Sequence, residues 1–167
     1  VVQPDGEEVL PFQELVRATS ADFFPIFDLP FKYGSGWDAS ADRGEERVAV
    51  LSLAMNDQLF GGVDSTGETL MMNDESFRIV GVLDEWHPVP TFYDLNNNPF
   101  EGPEEIYAPF STAVAGRWGS SGNNSCWKSP EEDGYEGYLA SECIWIQMWV
   151  ELRNAMEKEA YACLLYT

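Results

Sequence analysis

The sequence predicts an α+β domain: a mixed, mainly antiparallel β-sheet with a few short helices packed on one side and room for two lobes. Three observations lead to that class. Arg47-Val48-Ala49-Val50-Leu51 is a short continuous apolar run, as a strand covered on both faces requires. Ser52 is a good N-cap for a helix over Leu53–Phe60, in which Leu53, Met55, Leu59 and Phe60 include pairs at helical spacing and which Gly61-Gly62 ends. Residues 69–72 and 77–83 are apolar and β-rich, and Asn73-Asp74-Glu75 between them marks a hairpin tip.

The remaining elements follow in chain order. A polar turn at Gln3-Pro4-Asp5-Gly6 precedes a strand over residues 13–18, and Thr19-Ser20 can cap what comes next. Residues 21–27 are too short and too aromatic for a free-standing helix, so one or two turns are expected, with Phe23 and Phe24 plugging a core. Gly34-Ser35-Gly36 and residues 38–46 read as an exposed polar loop. Gly81 inside the second hairpin strand predicts a bulge or a close backbone approach. Residues 84–103, rich in proline, asparagine and aromatics, form a loop or insertion before the apolar segment 106–110. A second polar excursion runs over 115–142. Ile144, Ile146, Met148 and Val150 then alternate with Trp145, Gln147, Trp149 and Glu151, the period of a half-buried strand. Asn154 and Glu157 make a capping box for a last helix, which should pack on the same side as the Ser52 helix. The expected core is Phe23, Phe24, Val50, Leu51, Leu59, Phe60, Ile79, Val80 and Val82.

At 167 residues and 18.8 kDa the chain has the size of one domain, with inserted loops at 84–103 and 115–142. Its 29 acidic and 9 basic residues give a formal charge of -20, which repels phosphate backbones and anionic lipid and so argues against nucleic acid as a partner. No apolar run reaches the roughly 18 residues that a membrane-spanning helix needs. Val1 opens in mid-pattern and the last helix lacks a stop signal, so a piece of a longer protein is expected.

Three cysteines and one histidine lack the spacing of a zinc site. Cys126 and Cys143 flank a glycine- and acid-rich loop and either close it in an oxidising compartment or stay as two buried thiols. The disulfide is the favoured reading, because little else pins so long a polar excursion. Cys163 would then be left as helix core.

Catalytic constellations are hard to assemble. His87 sits on a loop with no serine in a nucleophile elbow to partner it, so it reads as a surface residue. Acid pairs such as Asp84 with Glu85 and Glu104 with Glu105 are what chance gives in so acidic a chain. Asp94, Asn96, Asn98 and Glu105 fall at positions 1, 3, 5 and 12 of a calcium loop, but Pro99 takes the place of the usual glycine, which leaves a weak candidate beside a solvated turn. Six tryptophans and seven tyrosines suit sugar stacking; the preferred reading is core packing plus a subunit contact at Trp145 and Trp149. With no phosphate cradle, redox pair or metalloprotease motif, the sequence argues against an enzyme and calls for no cofactor.

Several segments, in order, resemble the MacB-type periplasmic core domain of MacB/FtsX-like ABC transporter permeases: Thr19-Ser20-Ala21-Asp22-Phe23-Phe24, Val48-Ala49-Val50-Leu51-Ser52, Leu59-Phe60-Gly61-Gly62, residues 63–67, residues 77–83 and Ile106-Tyr107-Ala108-Pro109-Phe110. The resemblance covers about residues 13–113 and returns thinly after Cys143. It implies a domain without catalytic residues, held on the periplasmic face of the inner membrane between two transmembrane helices of a permease. It further implies a cytoplasmic ATPase subunit, a second permease copy and a periplasmic adaptor protein as partners of the whole transporter, with the domain shifting as the membrane helices move. The loops at 84–103 and 115–142 are longer than the family pattern leads one to expect. The competing reading is a stand-alone secreted module that binds carbohydrate or calcium.

Overall fold

The computed structural model describes residues 2–4, 12–95, 97, 99–121 and 124–165. Its strands are β1 (Val2–Pro4), β2 (Val16–Thr19), β3 (Phe31–Gly34), β4 (Val48–Leu51), β5 (Thr69–Met72), β6 (Glu75–Leu83) and β7 (Ile106–Pro109). The helices are α1 (Phe23–Ile26), α2 (Ala39–Arg43), α3 (Leu53–Phe60), α4 (Phe110–Ala115), α5 (Tyr135–Leu139) and α6 (Ala155–Leu165).

The strands form one sheet in the order β1-β5-β6-β4-β7-β2, with β3 also on β6. The β6–β4 and β7–β2 pairs are parallel and the others antiparallel, so the sheet is mixed and mainly antiparallel, as expected. β4 pairs with β6 over Arg78 to Val82, which forces β5 (opposite residues 75–78) and β3 (opposite residues 81–83) to share the other edge of β6. The long strand thus joins the β1–β5 ribbon to the rest of the domain.

β4 is buried along its whole length and divides the core. Ala49 and Leu51 face one cluster with Ile79, Phe77, Leu70, Ile106 and, from α3, Met55 and Leu59. Val48 and Val50 face the other, with Phe23 and Phe24 from α1, Trp37, Ala41 from α2, Tyr93 and Tyr107. α3 packs on one side of β4 and α1 and α2 on the other, so helices cover both faces of the sheet where the sequence led one to expect a single side. α6 buries no residue and does not join the sheet, and Cys163, expected in a helix core, is exposed. Of the expected core, Phe60 and Val80 are partly buried against the clusters and the other seven are buried.

The Ser52 hydroxyl accepts the Met55 amide at 3.0 Å and Gly61 closes α3 in the left-handed region, so both ends of that helix lie where its sequence puts them. Asn73 and Asp74, with φ of 51° and 66°, make the hairpin tip, and Glu75 already belongs to β6. Gly81 meets both expectations. The β4 register skips from Ile79 to Gly81, a bulge, and a Cβ on Gly81 would lie 2.5 Å from the Ser35 carbonyl oxygen.

Four further expectations change. The segment 34–46 is not one exposed loop: Gly34 ends β3, Trp37 is buried, and the Asp38 carboxylate caps α2 by accepting from the Ser40 and Ala41 amides. No side chain from Thr19 or Ser20 caps α1, whose first amide bonds the Ser20 carbonyl instead. The half-buried strand expected over 144–150 does not form. Apart from the bridge between Ile144 and Ser125 the segment is unpaired, and Ile144, Ile146, Met148 and Val150 are exposed. The turn expected at residues 3–6 is strand at Gln3 and Pro4, while Asp5 and Gly6 lie outside the described residues.

Candidate interaction surface

The loop over 84–103 folds onto the end of the sheet through its aromatics. Trp86 stacks on Tyr93 with ring centroids 5.3 Å apart, and Tyr93 also meets Phe23 at 5.4 Å. Where this loop passes the edge strand β2, the Arg17 guanidinium lies 5.0 Å above the Tyr93 ring and donates to Asp94 at 2.7 Å and to Glu104. The Tyr93 hydroxyl also donates to Glu104, at 3.1 Å. One cation therefore holds the middle of a long loop and the residue that follows its end against the sheet.

The same cluster fixes the chain that follows the second excursion. Gln147 donates to Asp94 at 2.8 Å, the Trp149 indole N–H donates to the Tyr93 carbonyl at 3.0 Å, and the Trp149 ring packs on Phe27 at 5.5 Å. Residues 147–149 are thus docked beside 92–94 although no sheet pairing holds them.

Burial and charge act in opposite directions here. Burial by itself would lower the Arg17 pKa, but hydrogen bonding and charge from Glu104, then from Asp94, raise it well above its ordinary value. Burial would raise the Asp94 pKa, yet hydrogen bonds from Asn97, Arg17 and Gln147 hold it below the usual carboxylate range. Burial, reinforced by the Glu104 charge, pushes the Tyr93 hydroxyl far up, so it stays a neutral donor. These groups form a structural joint, with Asp94 only 6% exposed and the buried Arg17 Nε left without a hydrogen-bond partner.

Around the joint lies a band of uncovered apolar side chains. Phe92 is 44% exposed, Leu95 60%, Phe100 76%, Met148 79% and Trp149 49%. The Phe27 ring touches both Phe92 and Trp149, which joins the loop's contribution to that of the later segment. Exposed apolar side chains gathered beside one joint are characteristic of interaction sites.

The residues singled out from the sequence are distributed unevenly over this geometry. Cys126 and Cys143 are bonded, closing the second excursion across 17 residues. Trp149 belongs to the exposed band; Trp145 packs on Tyr138 at 5.0 Å and Phe110 at 6.0 Å and is partly buried. Of the calcium-loop positions, Asp94 is engaged by Arg17, Asn97 and Gln147, and Glu105 accepts from the Ser52 hydroxyl. Asn96 and Asn98 lie outside the described residues. No group of three His, Cys, Asp or Glu side chains placed to hold a metal occurs among the described residues, and no helix there is long and apolar enough to cross a membrane. His87 is exposed.

A model of the MacB-like periplasmic core domain matches residues 3–162. The chain belongs to that family. As a MacB-like periplasmic core domain it is 28% identical over 106 residues to the pyoverdine export ATP-binding/permease protein PvdT of Pseudomonas syringae pv. tomato, an alignment covering 63% of this chain and 15% of that protein. Among solved structures it is similar to the periplasmic region of MacB from Actinobacillus actinomycetemcomitans, with 20% identity, a TM-score of 0.49 and coverage of 64% of this chain and 42% of that one. It is similar also to the extracellular domain of the noncanonic ABC-type transporter YknZ from Gram-positive bacteria, with 18% identity, a TM-score of 0.46 and coverage of 60% and 45%. The chain therefore spans well under two thirds of each of these relatives.

Within the MacB-like domain, sequence reasoning missed Arg17, Tyr93 and Gln147. A signal for the first was present: Arg17 is a lone cation in a predicted strand of a strongly acidic chain, and a cation so placed needs carboxylate partners. Gln147 carries no such mark, since its partner is 53 residues away.

Proposed function

We propose that this chain is the extracytoplasmic domain of an ABC transporter permease, standing at the periplasmic face of the inner membrane, and that it works without catalysis. It would pass conformational change between the membrane helices of the full-length permease and partner proteins. The observation that carries this reading is the family match over residues 3–162. The single-domain reading of 1–167, with its two inserted loops, is part of the same proposal. So are a cytoplasmic ATPase reached through the permease, a second permease copy and a periplasmic adaptor protein.

The geometry suits such a role. A sheet packed on both faces behaves as a stiff unit, because close-packed interiors transmit strain rather than absorb it. The joint at Arg17 links that unit to a segment held by a few polar contacts, where a displacement can be received or delivered. Chemistry is not required of any residue in this account.

The test is the coding sequence on both sides of residues 1 and 167. One apolar run of about 20 residues upstream and three downstream are expected. Polar linkers or stop codons on both sides would overturn the permease reading.

A further inference from the structure

We propose that the apolar band of Phe92, Leu95, Met148 and Trp149 is a docking surface for a basic amphipathic segment of a partner protein, one that presents aliphatic or aromatic side chains flanked by Lys or Arg. The proposal rests on the interaction role given above and adds to it a surface and a partner chemistry.

Three observations select that partner. First, the band is preorganised. The Trp149 indole is fixed by its bond to the Tyr93 carbonyl and by the Phe27 ring, and Gln147 is fixed on Asp94, so Met148 sits exposed between two anchored neighbours. Side chains already ordered lose little freedom on binding. Second, the chain that carries the band is acidic, and the cations that border it, Lys128 and Arg153, are paired with Glu131 and Glu157. Residues 84–105 contain no lysine or arginine, nor do residues 129–152, and exposed Asp28, Glu101 and Glu151 directly follow Phe27, Phe100 and Val150. The Arg17 charge is already taken up by Asp94 and Glu104. Third, that field discriminates among occupants. A second copy would set one chain of charge -20 against another, and anionic lipid would be repelled in the same way, whereas a cationic segment gains both from apolar burial and from the rim.

The test is calorimetric titration of the 167-residue chain with three synthetic helical peptides of equal length: Leu/Lys, Leu/Glu and Ser/Lys. The Leu/Lys peptide should bind, more weakly as salt is raised, and at least about tenfold more tightly than either of the others. The double variant Leu95→Ser with Met148→Ser should lose about tenfold in affinity for it while keeping the far-ultraviolet dichroism of the parent. Should that pair perturb the fold, Glu101→Lys with Glu151→Lys tests the rim instead and should cost a similar factor.

Equal binding of the Ser/Lys peptide, or unchanged affinity in both double variants, would overturn the proposal and leave only diffuse charge attraction. Sedimentation showing a dimer that either double variant dissociates would also overturn it, in favour of a self-contact. None of these results bears on the permease reading, which the flanking spans decide.

Discussion

The sheet body over residues 16–115 and the arm over 116–165 contain similar kinds of side chain and use them differently. In the strands and first helices of the body, apolar residues are paired and buried on two faces, the loop 84–103 being the exception; in the arm, Cys143 is the one buried hydrophobic residue among those described. The body owes its order to long-range pairing, whereas the arm relies on point attachments: a disulfide, one two-residue bridge, the Trp118 and Trp145 rings against Phe77 and Phe110, and the contacts of Gln147 and Trp149. Order therefore does not imply burial in this molecule. The arm leaves many of its apolar side chains exposed because its position is set by a few polar, covalent and ring contacts instead of by a core of its own.

The sharpest way to break the comparison is at the joint. Arg17→Ala would leave Asp94 and Glu104 as unpaired, largely buried carboxylates, a change that costs about 3–5 kcal/mol. It should lower the urea midpoint of the body and also free the arm, seen as faster amide exchange at 147–149. Next in size is the core itself. Leu51→Ala, fully buried between β4 and α3, should cost about 3 kcal/mol, whereas Ile146→Ala on the arm should stay within about 0.5 kcal/mol. Equal losses would mean that the arm is packed after all. Reduction of Cys126–Cys143 should cost the arm about 3 kcal/mol of local stability in the chain-entropy model. Amide exchange should rise over 124–145 with little change in β4 and β6.

Acid should act on the same boundary. The Asp94 pKa is held below its unfolded value, so its contribution is present at neutral pH and is lost as pH falls through the folded-state pKa. Stability of the parent should therefore decline more steeply on acidification than that of Asp94→Asn, read as the difference between their urea midpoints along a pH series. Parallel profiles would show that the carboxylate is not what couples the loop to Arg17.

Legibility in the sequence follows the same division. β4, α3, β5 and the hairpin could be read with close boundaries because each is specified locally, by a continuous apolar run, a serine cap and glycine stop, or residues that tolerate positive φ. β3 and α2 are four and five residues long and depend on tertiary contacts: Gly34 beside β6, Trp37 against Phe24, and Asp42 accepting from the Trp37 indole and the Ala21 amide. Local composition there is that of a loop. The alternation over 144–150 is real, but periodicity records which side chains could share a face and not whether a strand edge stands ready to receive them. Trp149 went to Phe27 and the Tyr93 carbonyl instead. Of the interaction surface, Trp149 was marked by its type, while Phe92 joins through its contact with Phe27, and Leu95 and Met148 as chain neighbours of Asp94 and Gln147, whose long-range bond no local pattern encodes.

The smallest expected effect sharpens the comparison at the far end of the arm. The Asn154 side chain accepts the Glu157 amide at 3.0 Å, and the Glu157 carboxylate accepts the Arg153 amide at 3.0 Å, a capping arrangement displaced by one residue from the usual reciprocal box. Because α6 buries nothing, these caps and the Arg153–Glu157 pair are what its sequence offers toward helix formation, and an 11-residue helix without packing is marginal in water. Asn154→Ala should thus remove about 1 kcal/mol from α6 alone. Helix content should fall in far-ultraviolet dichroism at 25 °C while the urea midpoint of the body stays where it is. A shift in that midpoint would show that α6 and the sheet unfold together, and the division between a packed body and a pinned arm would then have to be moved beyond residue 165.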